Sequence, residues 1–401
     1  MNRIFKCISL LLCLAVFLTG CGATADSTQL SSDSAVSDLA EPQDAASDAD
    51  GSAEAASAAE TEERQLPEVD MTVAWDEEFT ASVFAMDTYM DLKAYGPGAQ
   101  EGLALITEEI SELEKTLSVT SEGSEIYAVN QGAGTAVPVS GTTLQLIRDA
   151  VALGDTTGGA LDISLYPVLT AWGFTTESYQ IPDAETLAEL LRNVNDNEIM
   201  LDEAAGTVTV PEGMEIDLGS VVKGYVGDQA VGILEALGVT SALLNLGGST
   251  IRVLGSKLDG SDWRVAIQDP DNTLSYAGVL SVSGCAVDTS GGYERYFEDE
   301  DGNVYWHILD PETGSPAKSG VISATIISPD SFTGDGLSTA CFVMGLEDTI
   351  AYWREHGGFE FVLITDDNEI YASEGIADSF TPYGSYENNE VHVVPFAESG
   401  D

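Results

Sequence analysis

Positive charge is the scarcest feature of this sequence. Of 401 residues only 14 are Lys or Arg, against 68 Asp or Glu, and the formal net charge is −54 at pH 7. That balance excludes nucleic acid as a partner, because such binding rests on neutralising phosphates with basic side chains. It also means that an anionic small molecule must be held by a few placed bases, by a helix N-terminus or by a metal ion. Histidine is nearly as rare, at three residues, and the five cysteines form no Cys-x-x-Cys or Cys/His cluster, so zinc is not expected. There is no Gly-x-x-x-x-Gly-Lys-Ser/Thr loop and no Gly-x-Gly-x-x-Gly after a first strand, which removes the two usual nucleotide folds. Apolar runs are short as well: none reaches the roughly 18 residues a membrane helix needs.

What is present begins with an address. Arg3 and Lys6 precede an apolar run from Ile8 to Phe17 that ends in Leu18-Thr19-Gly20-Cys21. A basic start, a short apolar core and small residues before a cut predict an export signal over residues 1–20. The ending resembles the lipobox of bacterial lipoproteins, which implies lipidation at Cys21, an anchor in the membrane and a place on the outer face of the cytoplasmic membrane. Residues 21–70 are Ala, Ser, Asp and Glu with almost no large apolar side chain, which predicts a disordered acidic tether with a reach on the order of 40 Å. Residues 71–395 are then the folded, functional domain, and 396–401 a loose tail. Cys7 and Cys13 leave with the signal, and Cys285 and Cys341 are read as free and buried rather than paired.

Within the domain the apolar spacing predicts a strand over Val83–Tyr95 and a helix carrying Leu103, Ile106, Ile110, Leu113 and Leu117 on one stripe. Further helices are expected from about Thr143 to Leu153, Ala184 to Val194, Gly224 to Leu237, and Gly336 to Met344 followed by Leu346 to Glu355. Short strands are expected at Thr207–Val210, Ser241–Asn245, Arg264–Ile267, Val279–Val282, Val321–Ile327 and Phe361–Ile364, with a last one at Val391–Pro395. No regular βαβ rhythm emerges. The expected class is α+β with antiparallel sheet.

Six glycine-rich polar blocks lie outside this periodicity: Thr157-Gly-Gly-Ala-Leu-Asp162, Asp217-Leu-Gly-Ser-Val-Val-Lys-Gly224, Asn245-Leu-Gly-Gly-Ser249, Thr289-Ser-Gly-Gly-Tyr293, His307-Ile-Leu-Asp-Pro-Glu-Thr-Gly314 and Thr333-Gly-Asp-Gly-Leu-Ser-Thr339. Any one is a turn; together they fit a ligand cradle built from loops. Asp335 and Thr339 are four apart at the start of a helix, so both oxygens share a face. Two readings stand for them: hard oxygen ligands for Mg²⁺, or a helix start at which Thr333 or Asp335 is the cap. Lys223, among apolar and glycine neighbours, is a phosphate or carbonyl contact or a solvated surface lysine. His307 is a general base or a hydrogen-bonded structural residue.

In this order the blocks resemble the FAD:protein FMN transferase (ApbE) family. The resemblance also takes in Met86-Asp-Thr88, Leu117-Ser118, Ser124-Glu-Ile126 with Asn130, Trp172-Gly-Phe174, Tyr225 with Asp228, and Ser315-Pro316, and it runs from Met71 to about Tyr371. It implies a two-lobed α+β domain with FAD in the cleft between the lobes. By analogy Met86, Ala160, Leu161, Asp162, Asp217, Lys223 and Leu309 would contact FAD as substrate. Asp335, Thr339 and the backbone carbonyl near Ser220 would hold Mg²⁺. The implied reaction moves FMN from FAD to a Thr or Ser hydroxyl and releases AMP, with His307 as the candidate proton acceptor. Acceptors would be membrane-linked redox proteins with a Ser/Thr-Gly-Ala-Thr/Ser type of motif, such as subunits of Rnf-type or NADH:quinone reductases. Asp87 stands where the family usually has glycine, and Thr120 where an aromatic residue often follows Leu-Ser. The rival readings are an FAD pyrophosphatase that makes FMN and AMP, a non-catalytic flavin- or solute-binding lipoprotein, and an adhesion or structural surface protein.

Overall fold

The protein was described as a computed structural model, and the structure describes residues Leu66–Ala397. The export signal, Cys21 and nearly all of the acidic segment lie outside the described residues. The segment from Pro67 onward forms one compact unit.

Its frame is a nine-stranded sheet whose strands lie side by side in chain order. They are β1 (Glu78–Ala85), β2 (Thr88–Tyr95), β3 (Ala242–Asn245), β4 (Thr250–Leu254), β5 (Ala286–Gly291), β6 (Val321–Ser328), β7 (Glu360–Thr365), β8 (Ile370–Ser373) and β9 (Val391–Val394). Every neighbouring pair is antiparallel except the last, β8 with β9. The expectation of antiparallel sheet in an α+β fold is met. Antiparallel neighbours need only a hairpin between them, so the long insertions after β2, β4 and β5 are free to carry helices and small sheets. Strands β4, β6 and β7 are buried almost throughout, because protein covers both faces of the sheet there. One face is covered by the small sheet that includes Trp263–Asp269 and Asn272–Val282, through Val265, Ile267 and Leu280 against Val253, Val287 and Val362. The other carries helices, with Phe342 and Trp353 among Ile326, Phe361 and Leu363.

Four helices set the site: α1 (Ala99–Leu117), α2 (Gly141–Thr156), α3 (Val222–Ala236) and α4 (Ser331–His356). Helix α1 buries the five apolar residues whose spacing predicted it. Helix α4 is two helices joined at Gly345, whose φ of 79° and ψ of −174° leave helical space, so the two expected segments on either side of Gly345 are real. Their shared start is a correction. The block Thr333–Thr339 is helix, not loop, because Asp330 caps α4 through the Thr333 N–H at 2.9 Å. Neither Thr333 nor Asp335 is the cap.

Two other expectations change. The single strand over Val83–Tyr95 is the two halves of a hairpin, turned at Met86 and Asp87, both with φ near 55° (51° and 60°). The block Thr289–Tyr293 is not a loop at its start: Thr289, Ser290 and Gly291 continue the central strand β5. Cys285 and Cys341 are both free thiols; Cys341 is buried and Cys285 partly so.

Candidate active site

The starts of α3 and α4 meet without side chains between them. A Cβ on Gly224 would lie 2.2 Å from the Ser331 carbonyl oxygen, so only glycine allows this approach. Asp228, one turn along α3, accepts the Ser331 and Phe332 N–H groups at 2.9 Å each, satisfying donors at the open end of α4. This clamp brings Lys223 on α3 to Asp335 on α4.

Asp335 is 5 % exposed and is approached from three directions. The Gly224 N–H donates to its Oδ2 at 2.9 Å, Thr250 Oγ1 on β4 to its Oδ1 at 3.4 Å, and Lys223 Nζ stands 3.5 Å from Oδ1. Gly224 lies in the first turn of α3, where N–H groups have no acceptor within the helix, and Asp335 supplies one. One turn beyond Asp335, Thr339 Oγ1 lies 3.3 Å from Ser290 Oγ on β5, which also meets Ser338 Oγ at 2.8 Å. Carboxylate, hydroxyl and carbonyl oxygens are what a hard divalent ion takes. Among the described residues no group of three or more His, Cys, Asp or Glu is placed to hold a metal ion by itself.

The same cleft holds the other polar residues named from sequence. Asp217 is joined to the Thr157–Asp162 loop by its N–H, which donates to the Ile163 carbonyl at 2.8 Å. Burial raises its carboxyl, against the pull of the Gly219 N–H, Arg295 and Lys223. His307 packs edge-on to Phe174, and its Nδ1 is 3.2 Å from the Arg295 carbonyl. A carbonyl only accepts, so Nδ1 carries the ring proton and Nε2 is left with its lone pair. Desolvation, with Arg295 and Lys223 nearby, takes His307 down to about 3, so the ring is neutral at ordinary pH.

Met86 enters through its neighbour. Its N–H is held by Glu114 Oε1 at 2.8 Å, and Asp87 Oδ2 lies 3.4 Å from Arg295 Nη2, tying the hairpin turn to the His307 side. The carboxylate at Asp87 therefore has a basic partner. Other named residues contribute differently. Leu161 and Leu309 have buried side chains, so what they offer a ligand is backbone, and Ala160 sits beside Leu161 at the loop surface. Asp162 spends its carboxylate on the Ser164 N–H and Oγ and the Asp196 N–H.

Sequence reasoning passed over Arg295, Glu294, Thr250 and Asp288, and took Ser290 only as part of a glycine-rich block. Lys223 and Arg295 together act on Asp217, Glu294 and His307, so two of the chain's few bases face one cleft. Glu294 keeps solvent access but is walled in by protein, and this desolvation pushes its carboxyl up to about 7. Charge scarcity was the available signal for Arg295. For Asp288 it was an acid set in the run Cys285-Ala-Val-Asp-Thr289.

The comparisons agree with this architecture. The ApbE family profile matches residues 86–363, which takes in both sides of the cleft. The chain belongs to the ApbE family. A curated relative, the FAD:protein FMN transferase of Treponema pallidum (strain Nichols), is 35% identical over 324 residues, covering 75% of this chain and 88% of the relative. The FAD:protein FMN transferase of Klebsiella pneumoniae (strain 342) is 32% identical over 311 residues, covering 77% and 95%. Among solved structures the ApbE protein of Thermotoga maritima MSB8 superposes with a TM-score of 0.70 at 31% identity, over 75% of this chain and 98% of that one. The flavin transferase ApbE of Vibrio cholerae does so with a TM-score of 0.66 at 28% identity, over 74% and 97%.

Proposed function

We propose that this protein transfers FMN from FAD to a threonine or serine hydroxyl of a partner protein and releases AMP. The observation that carries the reading is the meeting of Lys223, Asp335 and Thr339 at the junction of two helix starts, in a chain of this family. The acceptor oxygen bonds to the FMN phosphorus, the bond from that phosphorus to the bridging oxygen breaks, and AMP leaves with that oxygen. The hydroxyl proton passes to His307 Nε2, the ring nitrogen that the Arg295 carbonyl leaves available. A pKa near 3 suits a hydrogen-bond acceptor that orients the hydroxyl. The anionic pyrophosphate, set against Lys223 and Arg295, would offset their depressing effect and strengthen the base as the substrate arrives.

Lys223 would lie against the pyrophosphate and neutralise charge as it develops, the main need in phosphoryl transfer. Asp335, Thr339 and the Ser220 carbonyl are the groups that would hold Mg²⁺. When bound, the ion supplies charge neutralisation on the phosphate oxygens. Met86, Ala160 to Asp162, Asp217 and Leu309 would line the FAD site, through backbone at Leu161 and Leu309. Export and lipidation at Cys21, and acceptors among membrane-linked redox proteins with a Ser/Thr-Gly-Ala-Thr/Ser type of motif, belong to the same proposal. They rest on sequence.

The test is incubation of the purified protein with FAD, Mg²⁺ and a peptide bearing a Ser-Gly-Ala-Thr motif. Intact-mass spectrometry then looks for an FMN adduct on the peptide, with AMP measured in parallel. An adduct that is lost with chelator supports the reading. AMP without adduct would make the protein an FAD pyrophosphatase, and FAD retained unchanged would make it a binding protein.

A further inference from the structure

Asp288 is a buried acid with no hydrogen-bond partner for its carboxylate. It lies at the centre of β5 and is 0% exposed. An unpaired buried carboxylate costs several kcal/mol as a rough scale, far more than an ordinary polar residue at a core position. A chain that keeps one has either a buried proton or a cation to put there.

The surroundings say which groups it faces. A Cβ on Gly334 would come within 2.1 Å of Asp288 Oδ2, so the carboxylate lies under the first turns of α4, one residue before Asp335. Asp288 and Ser290 are two apart on β5 and so face the same side, and Ser290 touches Ser338 and Thr339 on that helix. Across the ladder Asp288 is paired with Thr250, whose hydroxyl donates to Asp335. Two neighbours of Asp288, Thr250 and Ser290, thus touch Asp335 and Thr339 directly. Burial, and after it the Asp335 carboxylate, raise Asp288 well above the ordinary carboxylate range, while Lys223 and the Thr250 hydroxyl across the ladder oppose them. Lys223 is the base that acts on Asp288, but its ammonium is already set 3.5 Å from Asp335.

We propose that Asp288 is a further acidic residue of the divalent-cation centre, adding a second buried carboxylate to the Asp335/Thr339 pair and strengthening its hold on the ion. The inference rests on the magnesium reading given above. Its role is to supply charge beside the ligands; it places no bond from Asp288 to the metal. Such neighbouring groups typically change metal affinity 10–100-fold.

The experiment is a Mn²⁺ titration of the full chain followed by electron paramagnetic resonance, with Mg²⁺ as competitor, and melting temperatures measured with and without the ion. Wild type, Asp288→Asn, Asp288→Ser and Asp335→Ala are compared; the serine variant covers the case in which asparagine does not fit beneath Gly334. Both Asp288 variants should weaken Mn²⁺ by about tenfold or more. Both should also melt higher than wild type without metal and lose most of the metal-induced rise. Mn²⁺ binding equal to wild type in a folded Asp288 variant overturns the inference and leaves the magnesium reading standing. Wild type that binds neither ion overturns both.

Discussion

Two pairs of neighbouring carboxylates are set into this protein and are treated differently. Asp162 and Asp196 each receive donors from their surroundings: the Ser164 N–H and hydroxyl and the Asp196 N–H go to Asp162, and the Ile163 N–H goes to Asp196. Asp288 and Asp335 share one ammonium, one backbone N–H and one hydroxyl, and all three go to Asp335. The first pair holds a loop to its neighbour. The second keeps negative charge unpaired in the interior, which a fold does not gain from and a cation site does. We read the supplied charge as structural and the unsupplied charge as part of the proposed cation site.

The largest effect should come from breaking the second pair at its supplied member. Asp335→Ala should lower flavin transfer about 10³-fold while the protein stays folded, since one strong electrostatic contact at a reacting phosphate is worth about 10²–10³ and the ion is lost with it. Retained transfer in that variant would remove Asp335 from the site. Lys223→Ala should cost about 10²-fold in kcat, read in the same mass-spectrometric assay, with less effect if the lysine serves only to neutralise Asp335.

Gly334→Ala tests the crowding beneath α4. Its methyl group would meet Asp288 Oδ2 at 2.1 Å and Ser328 Oγ at 2.6 Å, and overpacking of this kind costs about 1–3 kcal/mol in urea unfolding. Combining it with Asp288→Ser should recover part of that loss, a coupling that independent sites would not show.

The smallest effect belongs to the supplied pair. Burial and Asp162 push the Asp196 carboxyl from its ordinary 3.8 up to about 7. A carboxyl raised on folding contributes stability that is complete below pH 3.8 and is lost as pH rises through 7. Asp196→Asn keeps an oxygen for the Ile163 N–H and escapes that loss. It should match wild type near pH 4 and exceed it by about 1 kcal/mol at pH 8 in chemical unfolding. Equal stability at both pH values would mean that Asp196 ionises without cost.

Periodicity made α1 plain from Leu103 to Leu117, because a half-buried helix must repeat its apolar residues along one stripe. It made β6 plain too, as an unbroken apolar run buried on both faces. It failed at β4, where Arg252 interrupts Thr250–Leu254, and at β5, where Asp288 went unassigned and Thr289 and Ser290 fell in a glycine-rich block. Polar residues in central strands are tolerated only where the tertiary environment uses them, and local spacing carries no trace of that use. The hairpin turn at Met86–Asp87 was hidden for a related reason: methionine is not a usual turn residue, and no glycine accompanies Asp87.

The sequence alone determined the antiparallel α+β class, the family, the glycine blocks and the Asp335/Thr339 spacing, since each depends on residues close in the chain. Tertiary structure decided that Lys223 faces Asp335 across 112 positions of sequence, as their 3.5 Å contact records. It also put the Arg295 carbonyl on His307 and left Asp288 without a partner beneath Gly334. Those facts depend on how two helix starts pack over one strand. Electrostatic energy in a protein interior is set by separation and burial, and neither is written in the order of the residues.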